Sequence, residues 1–161
     1  ILLVIVVAGI GGCATSRFFT FDGEYGPINL TNFIALVAGL IAGPAAGLGT
    51  GLILGVEKLA YDGMDCLPFA LAVIISGVIG GYLWKNAGGK FPRSCTAVVS
   101  MVLCEVVTMV LVFILTPDRS IVFNAVIELA IVQSDILVLC MVLFSTLYSS
   151  LILRRTGPGC G

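Results

Sequence analysis

Apolar residues fill long runs of this chain, and polar residues gather in the short gaps between them. The runs cover about 1–15, 28–42, 45–60, 66–84, 95–116 and 136–153, with a shorter one at 120–133. A membrane-spanning helix needs about 20 apolar residues. The first run is short for that purpose, and it reads as a chain that begins inside its first helix. A polar, aromatic loop follows at 16–27. Gly43-Pro44 separates the second run from the third, because proline removes a backbone donor and biases the residue before it away from helix. Pro117, Asp118 and Arg119 predict a turn. Residues 156–161, with three glycines and a proline, predict a flexible tail beyond a single bundle at 1–155.

Composition decides what solvent these helices meet. Of the 161 residues, 59% are hydrophobic and only 11% are charged, with a mean hydropathy of +1.17. Soluble domains carry about 25% charged residues. A chain with so few charges cannot cover a water-facing surface, so the expected fold is an all-α polytopic membrane bundle with the lipid bilayer as its surroundings. The net charge of −1 lacks the basic stripe of nucleic-acid-binding proteins. There is no histidine, which removes the commonest metal ligand and general base.

The charged loops orient the bundle. Lys85, Lys90 and Arg93 lie together between the fourth and fifth long runs, and Arg154 and Arg155 follow the last. Basic loops stay cytoplasmic. The stretch 57–65 sets Lys58 against Glu57, Asp62 and Asp65 and is placed outside. These assignments agree if Gly43-Pro44 is a cytoplasmic turn and 120–133 does not cross. The result is about six short spans with both ends inside. The rival is one long broken helix over 28–60, which leaves five spans.

Small residues crowd the second to fourth runs. Gly47, Gly51 and Gly55 form a small-xxx-small ridge that lets helix backbones approach closely. It serves either packing within the bundle or docking of a partner subunit. The six cysteines, Cys13, Cys66, Cys95, Cys104, Cys140 and Cys160, make no Cys-x-x-Cys pair and read as structural thiols. No nucleophile elbow, phosphate loop or metal motif is present, so neither an enzyme nor a cofactor is expected.

The informative residues are the polar minority inside apolar runs, because a charge in a span is costly and marks function by default. Glu105 lies near the middle of the fifth long run, and Thr108 shares its helix face. Glu105 must be protonated, paired or facing a wet cavity. It is either a contact between helices or the wall of a ligand site. Asn124 and Glu128 lie one turn apart in the short run, with Asp135 continuing their face. That segment either floats on the outer surface or dips in to close a pocket. Asn29, Thr31 and Asn32 open the second run, where Asn29 is suited to cap the helix. Glu57-Lys58 closes the third. Tyr61, Tyr82 and Trp84 near helix ends read as interface anchors.

The run from Ala38 through Gly43-Pro44 to Gly55 resembles the signature of the five-transmembrane LytS–YhcK-type receptor domain: an Ala-Gly-Leu-x-Gly-Gly-Pro stretch, then spaced glycines and a His-Arg pair. Leu67-Pro68, Gly77-x-x-Gly80-Gly81, Lys90-Phe91-Pro92 and Glu105-x-x-Thr108-Met109 resemble its later motifs in order. Together they cover about 29–155. The chain departs from the pattern at Thr31, where the family has Arg, at Glu57-Lys58, where it has His-Arg, at Thr108, where it has His, and at Phe69, where a Cys is common. The resemblance implies the membrane-embedded sensing half of a signalling protein, with a histidine kinase or diguanylate cyclase as output. The architecture also resembles the substrate-binding S components of energy-coupling-factor transporters.

The sequence therefore predicts a membrane module that binds an unknown small molecule and signals to a cytoplasmic domain or partner subunit, which includes a second copy of the chain. The alternatives are a transporter S component or a packing subunit of a larger complex. The expected site gathers Asn29, Thr31, Asn32, Glu57, Lys58, Glu105, Thr108, Asn124 and Glu128, with the core polar residues in the outer half of the bundle under the aromatic loop at 18–25.

Overall fold

The computed structural model describes residues 1–18, 30–116 and 134–155. Among them are six α-helices and one short 3-10 turn. They are α1 (Leu2–Phe18), α2 (Thr31–Ala42), α3 (Pro44–Asp62), α4 (Leu67–Asn86), α5 (Ser94–Leu115) and α6 (Ser134–Arg155). The 3-10 turn Met64–Cys66 links α3 to α4. The expected tail at 156–161 and the short apolar run at 120–133 lie outside the described residues. The first helix runs to Phe18, three residues past the expected end of the first run.

The Gly43-Pro44 break is a hairpin, not a kink in one long helix. Gly43 has φ 89° and ψ −171°, a left-handed backbone that glycine adopts without steric cost. Pro44 takes the first position of α3, where its missing N–H would have lacked a helical partner anyway. Two observations show that the chain reverses. Gly39 and Gly47, four residues on either side of Gly43, approach so closely that a Cβ on Gly47 would stand 2.9 Å from the Gly39 Cα. Farther from the turn, Ala35 and Leu54 share one buried cluster with Val73. The rival single helix over 28–60 is therefore excluded.

The six helices alternate in direction. Ile5 faces Gly49, Gly9 faces Ile53 and Gly12 faces Leu54, so α1 runs parallel to α3. The Trp84 ring lies 2.9 Å from where a Gly43 Cβ would stand and 3.5 Å from the Gly89 position. It therefore bridges the hairpin turn and the loop at 87–93. The ring of Phe91 in that loop meets Tyr148 at 4.4 Å between centroids, tilted by 40°, which brings the later part of α6 to the same end. The start of α1, the Gly43 turn, the 87–93 loop and the end of α6 thus share one end, which we call the basic end. It carries Lys85, Lys90, Arg93, Arg154 and Arg155, five of the eight cations. The opposite, acidic end carries Asp62 and Asp65. The helix ends flanking 19–29 and 117–133 both lie on that acidic side.

The glycine ridge is spent inside the molecule. Gly47, Gly51 and Gly55 are buried and face Gly77, Ile74 and Ala70 of α4. Gly39 of α2 packs against Gly77, Gly80 and Gly81. The docking-face reading of this ridge is overturned: the partner is α4. Leu36 and Leu40 of α2 join Ala97, Met101 and Cys104 of α5 and Leu137 and Met141 of α6 in the main buried cluster. Outward, the helices present large apolar side chains such as Val78, Val99, Phe113 and Leu147. Met64–Asn86 and Ser94–Leu115 are each long and apolar enough to cross a bilayer.

Candidate functional site

Helix length explains why polar residues at the start of α2 are buried. Its 12 residues rise about 18 Å, and the 19 of α3 about 28 Å. Both helices meet at Gly43, so α2 begins well short of the acidic end of α3. Thr31 and Asn32, though in its first turn, are 0% and 2% exposed. The N-cap is Leu30, with no side-chain cap bond. Capping by Asn29 is thus replaced by a helix that starts at Thr31, and Asn29 itself lies outside the described residues.

Asn32 meets the expected partners on α5. Its Nδ2 donates to Thr108 Oγ1 at 3.1 Å, and the Thr108 hydroxyl donates its single hydrogen to the Cys104 carbonyl at 2.9 Å. The second bond fixes the sense of the first. A hydroxyl whose hydrogen is engaged can only accept, so the Asn32 amide turns its nitrogen toward Thr108 and leaves Oδ1 free. Glu105, one turn before Thr108, is 2% exposed, and the Asn32 side chain lies beside its carboxyl. Among the described residues neither carboxyl oxygen completes a hydrogen bond, and Asn32 Oδ1 has no donor either.

Three acceptor oxygens on two facing helices are thus left open. Buried polar groups without partners cost about 1–3 kcal/mol each, more if charged, and native structures hold few of them. No cation stands beside Glu105 among the described residues. Glu57 and Lys58 are half-buried near the acidic end of α3; Lys58 does not neutralise Glu105. Asn124 and Glu128 lie outside the described residues.

Sequence reasoning missed Thr50, which is fully buried and whose Oγ1 also lacks a partner. The available signal was its spacing, three residues after Gly47 and four before Leu54, on the buried face of α3. Ser76 and Ser100, also missed, satisfy themselves by donating to carbonyls of their own helices at 2.8 and 2.7 Å. Beside the polar cluster a row of rings crosses the bundle. Phe33, next to Asn32, meets Phe144 edge-on at 6.2 Å. Phe144 lies 6.0 Å from Phe91 and 6.1 Å from Tyr148.

A family profile described as 5TMR of 5TMR-LYT matches residues 1–151. The sensor protein LytS of Bacillus cereus is 28% identical over 101 residues, which is 61% of this chain and 17% of that protein. The sensor histidine kinase YpdA of Escherichia coli is 28% identical over 122 residues, 71% of this chain and 21% of that protein. The sensor histidine kinase/phosphatase LytS of Staphylococcus aureus is 25% identical over 107 residues, 65% of this chain and 18% of that protein. The matched region spans about a fifth of the length of these relatives. No solved structure matches the chain.

Proposed function

Since the chain belongs to the 5TMR family of LytS-type receptors, and so is a membrane-integral sensing module of a signalling protein, we propose that it binds a small molecule between α2 and α5 and passes the change to a cytoplasmic output through α6. The observation that carries this reading is the set of open acceptors on Asn32 and Glu105, held in place by the Thr108 bond. A bundle this apolar has little reason to keep them unless something with donors meets them. Glu57 and Lys58, with Asn29, Asn124 and Glu128 from the flanking segments, are proposed as the rim on the acidic side.

The route outward is the ring row. Phe33 neighbours Asn32 and touches Phe144 of α6, so a shift of α2 bears on α6 directly. The end of α6 is at the basic end, which the positive-inside rule places in the cytoplasm. The helices then make six crossings, with both ends inside. The relatives are sensor kinases, and the output proposed here is a histidine kinase of that kind. Because α4 covers the glycine ridge, that ridge is not free to face the coupling subunit that a transporter S component would need.

Native mass spectrometry of gently purified protein tests the site. A small molecule should co-purify with the wild type and be lost from Glu105→Gln. A molecule that is retained by Glu105→Gln overturns the site.

A further inference from the structure

The chemistry of the open cluster limits what the sensed molecule presents to it. We propose, resting on the site reading above, that Asn32 and Glu105 form the seat of a primary ammonium group, the protonated amine of the ligand. Glu105 Oε1, Glu105 Oε2 and Asn32 Oδ1 are three acceptors without donors among the described residues, and an ionised Glu105 gives them one formal negative charge. A primary ammonium brings three N–H donors and one positive charge, and charge-assisted bonds of this kind are the strong ones. Other groups match less well. A hydroxyl brings one donor and no charge. A guanidinium brings five donors in a rigid planar fork, more than the acceptors here. A quaternary ammonium has the charge but no N–H. Thr108 adds nothing to the ligand directly, since its hydrogen is spent on Cys104 and its oxygen receives Asn32 Nδ2. It is a positioning residue that engages Asn32 Nδ2 and leaves Oδ1 without a donor.

Burial adds a consequence. Asn32 and Glu105 are each 98% covered, so an ammonium reaches them only as the surrounding helices move. Occupancy is therefore tied to a helix displacement, and a differential affinity for the displaced state is what lets a ligand shift the equilibrium.

The test uses the full chain in detergent micelles, with ethylammonium chloride as probe and trimethylethylammonium chloride as a matched control at equal ionic strength. Ethylammonium should raise the thermal unfolding midpoint of the wild type in a saturable way. The quaternary salt should leave it unchanged, and Glu105→Gln should abolish the ethylammonium response. Absence of an ethylammonium shift, an equal shift with the quaternary salt, or a shift that survives Glu105→Gln overturns the ammonium seat. A molecule without an amine that co-purifies with the wild type and is lost from Glu105→Gln overturns this inference while leaving the site itself standing.

Discussion

Gly47 of α3 and Gly77 of α4 stand back to back, so close that a Cβ built on either would overlap the carbonyl oxygen of the other. The obstructing atoms are backbone on both sides and cannot rotate away as a side chain can. Overpacking a tight core typically costs about 1–3 kcal/mol, and Gly47→Ala or Gly77→Ala should fall at the upper end. Gly11→Ala is the control, because nothing lies within 4 Å of its added methyl. Unfolding in mixed micelles titrated with dodecyl sulfate should show an early midpoint for the first two and a normal one for the third. Equal midpoints for all three would refute the α3–α4 contact.

The turn at Gly43 makes a second prediction. Gly43→Ala meets two obstacles: a positive φ of 89° and the Trp84 ring at 2.9 Å. This positive-φ, extended backbone, essentially confined to glycine, alone costs an L-residue about 1–3 kcal/mol. Pairing Gly43→Ala with Trp84→Leu removes the ring but not the backbone strain. The double variant should therefore recover only part of the lost stability. Full recovery would show that the turn tolerates a side chain.

These two sites show what was legible in the sequence. The hairpin was readable because Gly43-Pro44 is a local signal, written in two adjacent residues. The glycine ridge was readable as a close-packing surface, but its partner was not, since the choice between α4 and another subunit is tertiary. Asn32, Glu105 and Thr108 stood out because polarity in an apolar run is costly wherever the chain goes. Their meeting was an expectation that the Asn32–Thr108 bond now supports. The misplacement of the cap came from reading α2 as starting at the edge of its apolar run, whereas the helix starts at Thr31. Thr50 was hidden because threonine among glycines and leucines carries little signal by itself.

Topology gives a third prediction. With the basic end in the cytoplasm, Lys90→Cys in a cysteine-free background should be protected from a membrane-impermeant maleimide in intact cells and react after permeabilisation. Asp62→Cys should react from outside. Labelling of position 90 in intact cells, with none at 62, would invert the bundle and with it the direction of signalling.

Thr108 separates positioning from direct contact. Thr108→Val keeps the shape but removes the acceptor of Asn32 Nδ2, leaving a buried donor unpaired at about 1–3 kcal/mol. The variant should melt earlier than the wild type, and ligand co-purification should weaken because Asn32 is no longer oriented. Thr108→Ser restores the hydroxyl and should recover both. Failure of Thr108→Ser to rescue would place the importance of Thr108 in its methyl group.

The sharpest prediction concerns the sign of the stability change at Glu105. Ordinarily a buried polar residue is substituted at a loss. Here both Glu105 oxygens and Asn32 Oδ1 lack donors among the described residues. Glu105→Gln has the same shape, keeps an acceptor oxygen for the Asn32 amide beside it and brings two N–H donors in place of a carboxyl. A net hydrogen bond contributes about 0.5–1.5 kcal/mol, and the substitution also removes the need to hold a carboxyl away from water. Glu105→Gln should thus leave the ligand-free protein as stable as the wild type or slightly more so, while abolishing co-purification of the small molecule. Thermal melting after exhaustive washing, beside native mass spectrometry before it, reads the two effects separately. A retained midpoint with lost ligand is the signature of a site kept for binding at the expense of stability. A clear drop in the midpoint of the washed protein would instead make Glu105 a structural contact between helices, with its partner supplied by a group other than a ligand.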